Sequence, residues 1–265
     1  MDALRPVVLC FSGHDPCGGA GIQADIEVLI SHQCHAASVI TVLTEQDTQN
    51  VKNLSPQSAG QFSAQARTVL ADLAVKAIKI GLIGDYAIAL AIHEILLEHP
   101  AIPVILDPVL AAGGGSRLAD QRLTVAIYEL LLPLTLIVTP NRQEARQLTE
   151  LSDLNASAEA LLAKGCQYVL ITGADEEAAS PVVCNRLYQQ DKRIDTFNWD
   201  RLPGNFHGSG CTLAASIAGL IAHGIEAFIA INEAQEYTWN ALNAAYQTGH
   251  GQLNPNRLFW VEDER

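Results

Sequence analysis

A chain of 265 residues with a formal net charge of −13 is long enough to bury a large core. Its lysines and arginines are scattered through an acidic background, which argues against a nucleic-acid partner. Its six cysteines stand far apart, with no C-x-x-C and no neighbouring Cys/His pair at zinc spacing, so they read as buried free thiols.

The opening "MDALRPVVLCFSG" lacks the basic start, long apolar stretch and small-residue cleavage site of a secretory signal, which predicts a cytoplasmic protein. Short β-branched runs follow in order: "VVLCFSG" (7–13), "SVITVLT" (38–44), "AIKIGLI" (77–83), "PVILDPV" (103–109), "LIVTP" (136–140) and "YVLITGA" (168–174). Helical spacing fills the gaps. Ile22, Ile26, Leu29 and Ile30 share one face, and 87–98 and 121–132 show the same period. Continuous apolar strands between helices predict an α/β sandwich whose mostly parallel sheet is covered on both faces. "VVCNRLYQ" (182–189) and "RIDTFNW" (193–199), joined by a short polar link, predict an antiparallel hairpin at the sheet edge. Beyond them the chain reads as helical almost to its end. The long apolar stretch 212–231 carries His223, Gly224 and Glu226, which suits a buried helix and a turn rather than a membrane span. Without repeat, linker or low-complexity tract, residues 1–265 read as one domain.

In open parallel sheets, ligands bind beyond the carboxyl ends of the strands, and there several runs end in polar or glycine-rich residues. "HGSGC" (207–211) precedes an apolar helix, so its N–H groups and the helix dipole would form an anion site. Cys211 in that field is expected to lean toward thiolate and to act as a base; packing as a small core residue is the competing reading. A cysteine nucleophile lacks marked His and Asn/Asp partners. "SGHDPCGGAGIQAD" (12–25) fits neither the Walker nor the dinucleotide spacing and reads as a tight strand-to-helix turn. "DPV" (107–109) and "TPNRQE" (139–144) close neighbouring strands with Asp107, Asn141 and Glu144. Asp107 and Glu144 are oxygen donors suited to Mg²⁺ beside phosphates.

Together, "GHDPCGGAGIQAD", "SVITVLTEQDTQNV", "KIGLIGD", "LDPV", "TPNRQEA" and "HGSGCTLAASIA" resemble the hydroxymethylpyrimidine/phosphomethylpyrimidine kinases, members of the ribokinase-like superfamily, over nearly the whole chain. The resemblance implies a three-layer ribokinase-like fold, ATP and Mg²⁺ as cofactors, a homodimer, and phosphorylation of 4-amino-5-hydroxymethyl-2-methylpyrimidine and its monophosphate. Carried over by position, it sets Gly13, Asp25 and Gln46 around the aminopyrimidine, with Leu82 and Val109 as apolar walls. Asn141 and Glu144 then organise Mg²⁺ and phosphates, Thr172 and Gly173 lie at the nucleotide, and Asp107 joins Glu144 at the metal. Gly208, Ser209, Gly210 and Cys211 form the anion hole, with Cys211 as base. Thr172 stands where the family commonly has lysine, Phe206 and Ser209 where it has threonine, and Cys17 where it has serine or glycine. Glu45 adds a carboxylate beside Gln46. A pyridoxal-type kinase and a non-catalytic pyrimidine or nucleotide sensor are the alternatives.

Overall fold

Burial on both faces explains why the first strand is almost wholly apolar. Leu9 and Phe11 point into one hydrophobic cluster, and Val8 and Cys10 point into the other. The computed structural model describes residues 5–175, 180–190 and 192–264. The chain runs β1 (Val7–His14), α1 (Gly21–Ser31), β2 (His35–Gln46), β3 (Val51–Pro56), α2 (Ala59–Asp72), β4 (Val75–Ile80), α3 (Tyr86–Glu98) and β5 (Val104–Leu106). It continues as α4 (Gln121–Ala126), β6 (Ile137–Val138), α5 (Arg142–Thr149), α6 (Leu154–Ala163), β7 (Tyr168–Ile171), β8 (Val182–Gln189), β9 (Lys192–Asp200), α7 (Ser209–Ala222) and α8 (Ala227–Asn243).

All nine strands belong to one sheet in the order β3-β2-β1-β4-β5-β6-β7-β8-β9. Pairing is parallel from β2 across to β7. It turns antiparallel at both ends, where β3 pairs with β2 and β8–β9 extend β7. Residues of α1, α7 and α8 pack into one cluster, and those of α2 to α6 into the other, which is the three-layer arrangement expected. Because β1 lies between β2 and β4, successive connections leave it in opposite directions. A crevice opens at such a switch point, beyond the strands' carboxyl ends.

Several local expectations are corrected. The edge hairpin β8–β9 is present, but β3 adds a second one, since β2 runs on to Gln46 and pairs with the mixed polar run 51–56. Ile30 is exposed rather than on the buried face of α1. The helix starting at Gln121 leaves α geometry after Ala126, passing through a π turn (Ile127–Leu131) and a 3₁₀ turn (Leu132–Leu134). Pro133, which has no N–H and whose ring crowds the carbonyl of Glu129 four residues earlier, accounts for the break. After α8 the chain is irregular, held by isolated bridges Phe206↔Leu253 and Tyr246↔Asn254, before a final 3₁₀ turn. The apolar stretch 212–231 divides between α7 and α8, and no helix among the described residues is long and apolar enough to cross a membrane.

Side chains of β4 alternate between the clusters, which sends Ile78 and Ile80 one way and Ala77 the other. Lys79 shares the side of Ala77 and is fully buried; its Nζ lies 2.8 Å from Asp25 Oδ1 and donates to Ser12 Oγ at 3.0 Å. Ser12 in turn donates to Asp25 Oδ2 at 2.6 Å. Burial alone would lower the lysine pKa, yet Asp25, Cys211 and Asp107 raise it well above its ordinary value. The ammonium is therefore held charged, tying α1 to β1 and β4. Lys79→Met leaves the Asp25 carboxylate buried and uncompensated, a loss of about 3–5 kcal/mol measurable by urea denaturation. Combining it with Asp25→Leu recovers most of that loss; no recovery would show that the pair is not what the lysine stabilises.

Candidate active site

Side chains cap α3, α4, α5, α6 and α8 through Asp85, Asp120, Asn141, Asp153 and Glu226. The two helices that begin in the glycine-rich loops differ: neither Ala20 of α1 nor Gly208 of α7 supplies a side-chain cap. Their first N–H groups are thus left for other acceptors. Gly208 has φ +79 and touches the neighbouring loop, for a Cβ there would sit 2.0 Å from Gly19 O. Only glycine lets the loops 13–20 and 207–211 approach this closely.

At the start of α7, Cys211 lies close enough to the Asp107 carboxylate and to the Gly21 N–H for both to act on its thiol. Gly210 lies beside the same carboxylate: a Cβ built on it would be 3.6 Å from Asp107 Oδ2. The expected thiolate is corrected here. Burial pushes the Cys211 thiol up to about 12; Lys79 pulls it down, but Asp107 and Asp25 add to the rise. The helix start does not overcome that burial.

Asp107 is buried at the end of β5, and Glu144 is buried in the first turn of α5. Glu144 closes a capping box with Asn141: Glu144 N–H donates to Asn141 Oδ1 at 2.8 Å, and Asn141 N–H donates to Glu144 Oε2 at 2.9 Å. Its other oxygen accepts from Leu110 N–H at 3.3 Å, which turns the carboxylate toward the β5 end. Burial raises Asp107 to about 6, Lys79 and the Cys211 hydrogen bond opposing and Asp25 reinforcing. Burial also raises Glu144 to about 8, with Asp107 as its largest charged contributor. Two buried carboxylates that disfavour each other's charge, with neighbouring N–H donors, fit a hard cation that keeps water and phosphate ligands. Among the described residues no group of three or more His, Cys, Asp or Glu could hold a metal ion by itself.

Thr172 and Gly173, the residues expected at the nucleotide, follow β7 and meet the start of α5. Thr172 bridges Asn141, its N–H donating to Pro140 O at 3.0 Å. Gly173 N–H donates to Asn185 Oδ1 at 3.0 Å, and Asn185 donates to Gln235 at 2.9 Å. Asp175 accepts from Gln143 N–H at 2.9 Å, so this carboxylate sits on the N-terminus of α5.

On the ring side, Gly13 lies against Leu82 and Val42, 3.0 and 3.1 Å from where its Cβ would be. Gln46 Nε2 is 3.2 Å from His207 Nε2, which also lies 2.9 Å from Asp15 Oδ2. Asp15 gathers the first loop: it accepts from the N–H groups of Cys17 and Ala20 at 2.8 Å each. Burial would raise it, but His207 and those N–H groups hold it below its ordinary value. Val109 is half-buried beside the Asp107 carbonyl, to which its N–H donates. Asp25 stands apart from this group. It is fully buried against Ser12 and Lys79 rather than open to a ring.

Sequence reasoning missed Ser12, Lys79, Asp15 and His207. The second lysine of the run "VKAIKI", flanked by isoleucines, and an aspartate between Ile22 and Leu29 on one helical face were the available signals for the buried pair. His207 and Asp15 carried none beyond lying inside quoted motifs.

The raised carboxyls make stability depend on pH. Glu144, ordinarily near 4.5, keeps its proton in the folded chain up to about 8, whereas the unfolded chain loses it earlier. The folded state then binds more protons, so stability falls as pH climbs through that window. In chelator, the melting temperature should fall between about pH 5 and 8. Glu144→Gln should flatten that slope, and Mg²⁺ should restore stability at the upper end in the wild type alone. Identical slopes in both proteins would exclude Glu144 as the source.

Comparison with known proteins agrees with this geometry. The family model described as phosphomethylpyrimidine kinase matches residues 15–256. A hydroxymethylpyrimidine/phosphomethylpyrimidine kinase of Rhizobium meliloti is 35% identical over 261 residues, covering 94% of this chain and 95% of that one. One from Synechococcus elongatus is 35% identical over 252 residues, covering 93% and 95%. Among solved structures, a Bacillus subtilis pyridoxal kinase in an ADP complex superposes with TM-score 0.89 at 25% identity, covering 97% and 99%. The phosphomethylpyrimidine kinase of Clostridium difficile does so with TM-score 0.77 at 27%, covering 90% and 100%. The sheet order, the facing glycine loops and these matches place the fold in the ribokinase-like class, and the chain belongs to the phosphomethylpyrimidine kinase family.

Proposed function

We propose that this kinase transfers the terminal phosphoryl group of ATP to the hydroxymethyl oxygen of 4-amino-5-hydroxymethyl-2-methylpyrimidine, and then to the phosphate of the resulting monophosphate. The observation that carries this reading is the uncapped start of α7 set against Asp107 and Cys211, with Glu144 electrostatically coupled to that carboxylate. Phosphoryl transfer is mostly positioning and charge stabilisation, and such a site supplies both.

The N–H groups of Gly208 to Cys211 hold the transferring oxygens. Gln46, steadied beside His207, faces the amino group and ring nitrogen of the pyrimidine, with Leu82 and Val109 against its faces. Cys211 accepts the hydroxyl proton as the new P–O bond forms. Asn141, Thr172 and Gly173 line the nucleotide phosphates. Asp107 and Glu144 would hold Mg²⁺, which when bound would supply positive charge that offsets these groups and favours the Cys211 thiolate. A homodimer, a cytoplasmic location and a single domain spanning 1–265 belong to the same reading and rest on the family resemblance.

The pyridoxal kinase likeness in fold supports a second reading, since pyridoxal is also a flat ring with a hydroxymethyl group. Initial rates with the two substrates separate them, and Gln46 favours the aminopyrimidine. Mass analysis of products after incubation with hydroxymethylpyrimidine and Mg-ATP should show mono- and diphosphate. Cys211→Ala should remove most turnover, about 10²–10⁴-fold for a general base, while pyrimidine affinity stays within about twofold. Near-normal turnover in that variant would refute the base role, and pyrimidine binding without any ATP consumption would favour the sensor.

A further inference from the structure

The irregular segment after α8 runs back beneath the two glycine loops. Leu253 pairs with the anion loop itself: His207 N–H donates to Leu253 O at 2.9 Å, and Leu253 N–H donates to Asn205 O at 2.8 Å. Four residues on, just past the end of the family match at 256, Arg257 enters the interior and is only 2% exposed.

Its guanidinium has three partners on three elements. Nε donates to Thr212 Oγ1 at 2.9 Å in α7, Nη1 donates to Glu27 Oε2 at 2.8 Å in α1, and Nη2 donates to Gly19 O in the first loop. A planar fork of fixed donors suits such a task, whereas an ammonium is a point charge on a flexible stem.

The contact with Thr212 reaches the anion site through one peptide. Thr212 hydroxyl donates to Gly208 O at 2.8 Å, and Thr212 N–H donates to the same oxygen at 2.9 Å. That carbonyl shares a planar trans peptide with the Ser209 N–H, and the two point in opposite directions. Pinning Gly208 O back into the helix therefore aims the Ser209 N–H out at the anion. On the other side, Gly19 O is held by Arg257, and the N–H of the same peptide, on Ala20, donates to Asp15. A single side chain thus fixes one peptide of the anion loop and one peptide of the loop at the ring.

We propose that Arg257 is a positioning residue for phosphoryl transfer: through Thr212 and Gly19 it sets the aim of the Ser209 N–H relative to the substrate loop. This rests on the reading of 208–211 as the anion hole. Misdirecting one such donor costs up to about 10²–10³-fold in turnover.

Three variants test it: Arg257→Met, Thr212→Val and Glu27→Gln. The first two should lose about 10–100-fold in kcat, with KM for the pyrimidine within about twofold. Glu27→Gln removes only the outer, half-exposed partner; it should lower the melting temperature yet keep kcat within about twofold of wild type. A brace with no part in alignment predicts instead that kcat follows melting temperature across all three. That pattern, or a Thr212→Val enzyme with unchanged kcat, overturns the proposal. Calorimetric titration gives a readout without turnover. Affinity for a non-hydrolysable ATP analogue should drop about tenfold in Arg257→Met and Thr212→Val, while affinity for ADP changes less than about twofold. Equal losses for both nucleotides also overturn it. If wild-type protein consumes no ATP with the pyrimidine, the kinase reading fails, and the titration alone decides the role of Arg257.

Discussion

A buried ammonium without a counter-ion is not tolerated in a protein interior: its desolvation costs several kcal/mol even after relaxation. Lys79 imposes that constraint at the switch point of the sheet. Asp25 meets it from α1 and Ser12 meets it from β1, so the position of the first helix over the sheet follows from the need to neutralise one side chain of β4. Because α1 is fixed there, the Gly21 N–H at its start reaches Cys211, and the loop before it comes within contact of Gly208. The place where a ligand would react is set from beneath by an ion pair that is fully buried.

The electrostatic balance of the site follows from the same pair. Asp25 compensates Lys79 at close range, and burial pushes Asp107 and Glu144 toward protonation against the weaker pull of Lys79 on Asp107. A side-chain cap is worth about 1 kcal/mol; five helices here have one, whereas α1, α2 and α7 lack it, α1 and α7 at the facing loops.

The layered fold was legible because its signals are local: apolar runs make buried strands, and their spacing with helical stretches makes a parallel sheet. The motifs closing β5, β6 and the run before α7 were legible for the same reason. What escaped depends on partners distant in sequence. The polar run 51–56 became a strand because β2 offered it an edge. The family resemblance set Asp25 at the ring, and local sequence could not show that its partner lies 54 residues away in β4. Arg257 sits in a tail with no periodic pattern, and only the folded chain shows that it joins α1, α7 and the first loop.

Cys211 is where local reasoning reached the wrong sign, and the magnitudes show why. A tenfold change in ionisation corresponds to about 1.4 kcal/mol, and a helix start contributes about 0.3–2 kcal/mol. Burial lifts the thiol from 9.0 to about 12, more than that field can return. The sequence displays the helix start but not the depth of the residue or the carboxylates that flank it. On the proposed chemistry, the empty site keeps a protonated and unreactive thiol, and the positive charge that arrives with the nucleotide is what makes it a base. Reactivity is then confined to the filled state, so a half-buried cysteine can serve in catalysis without standing as an exposed thiolate between turnovers.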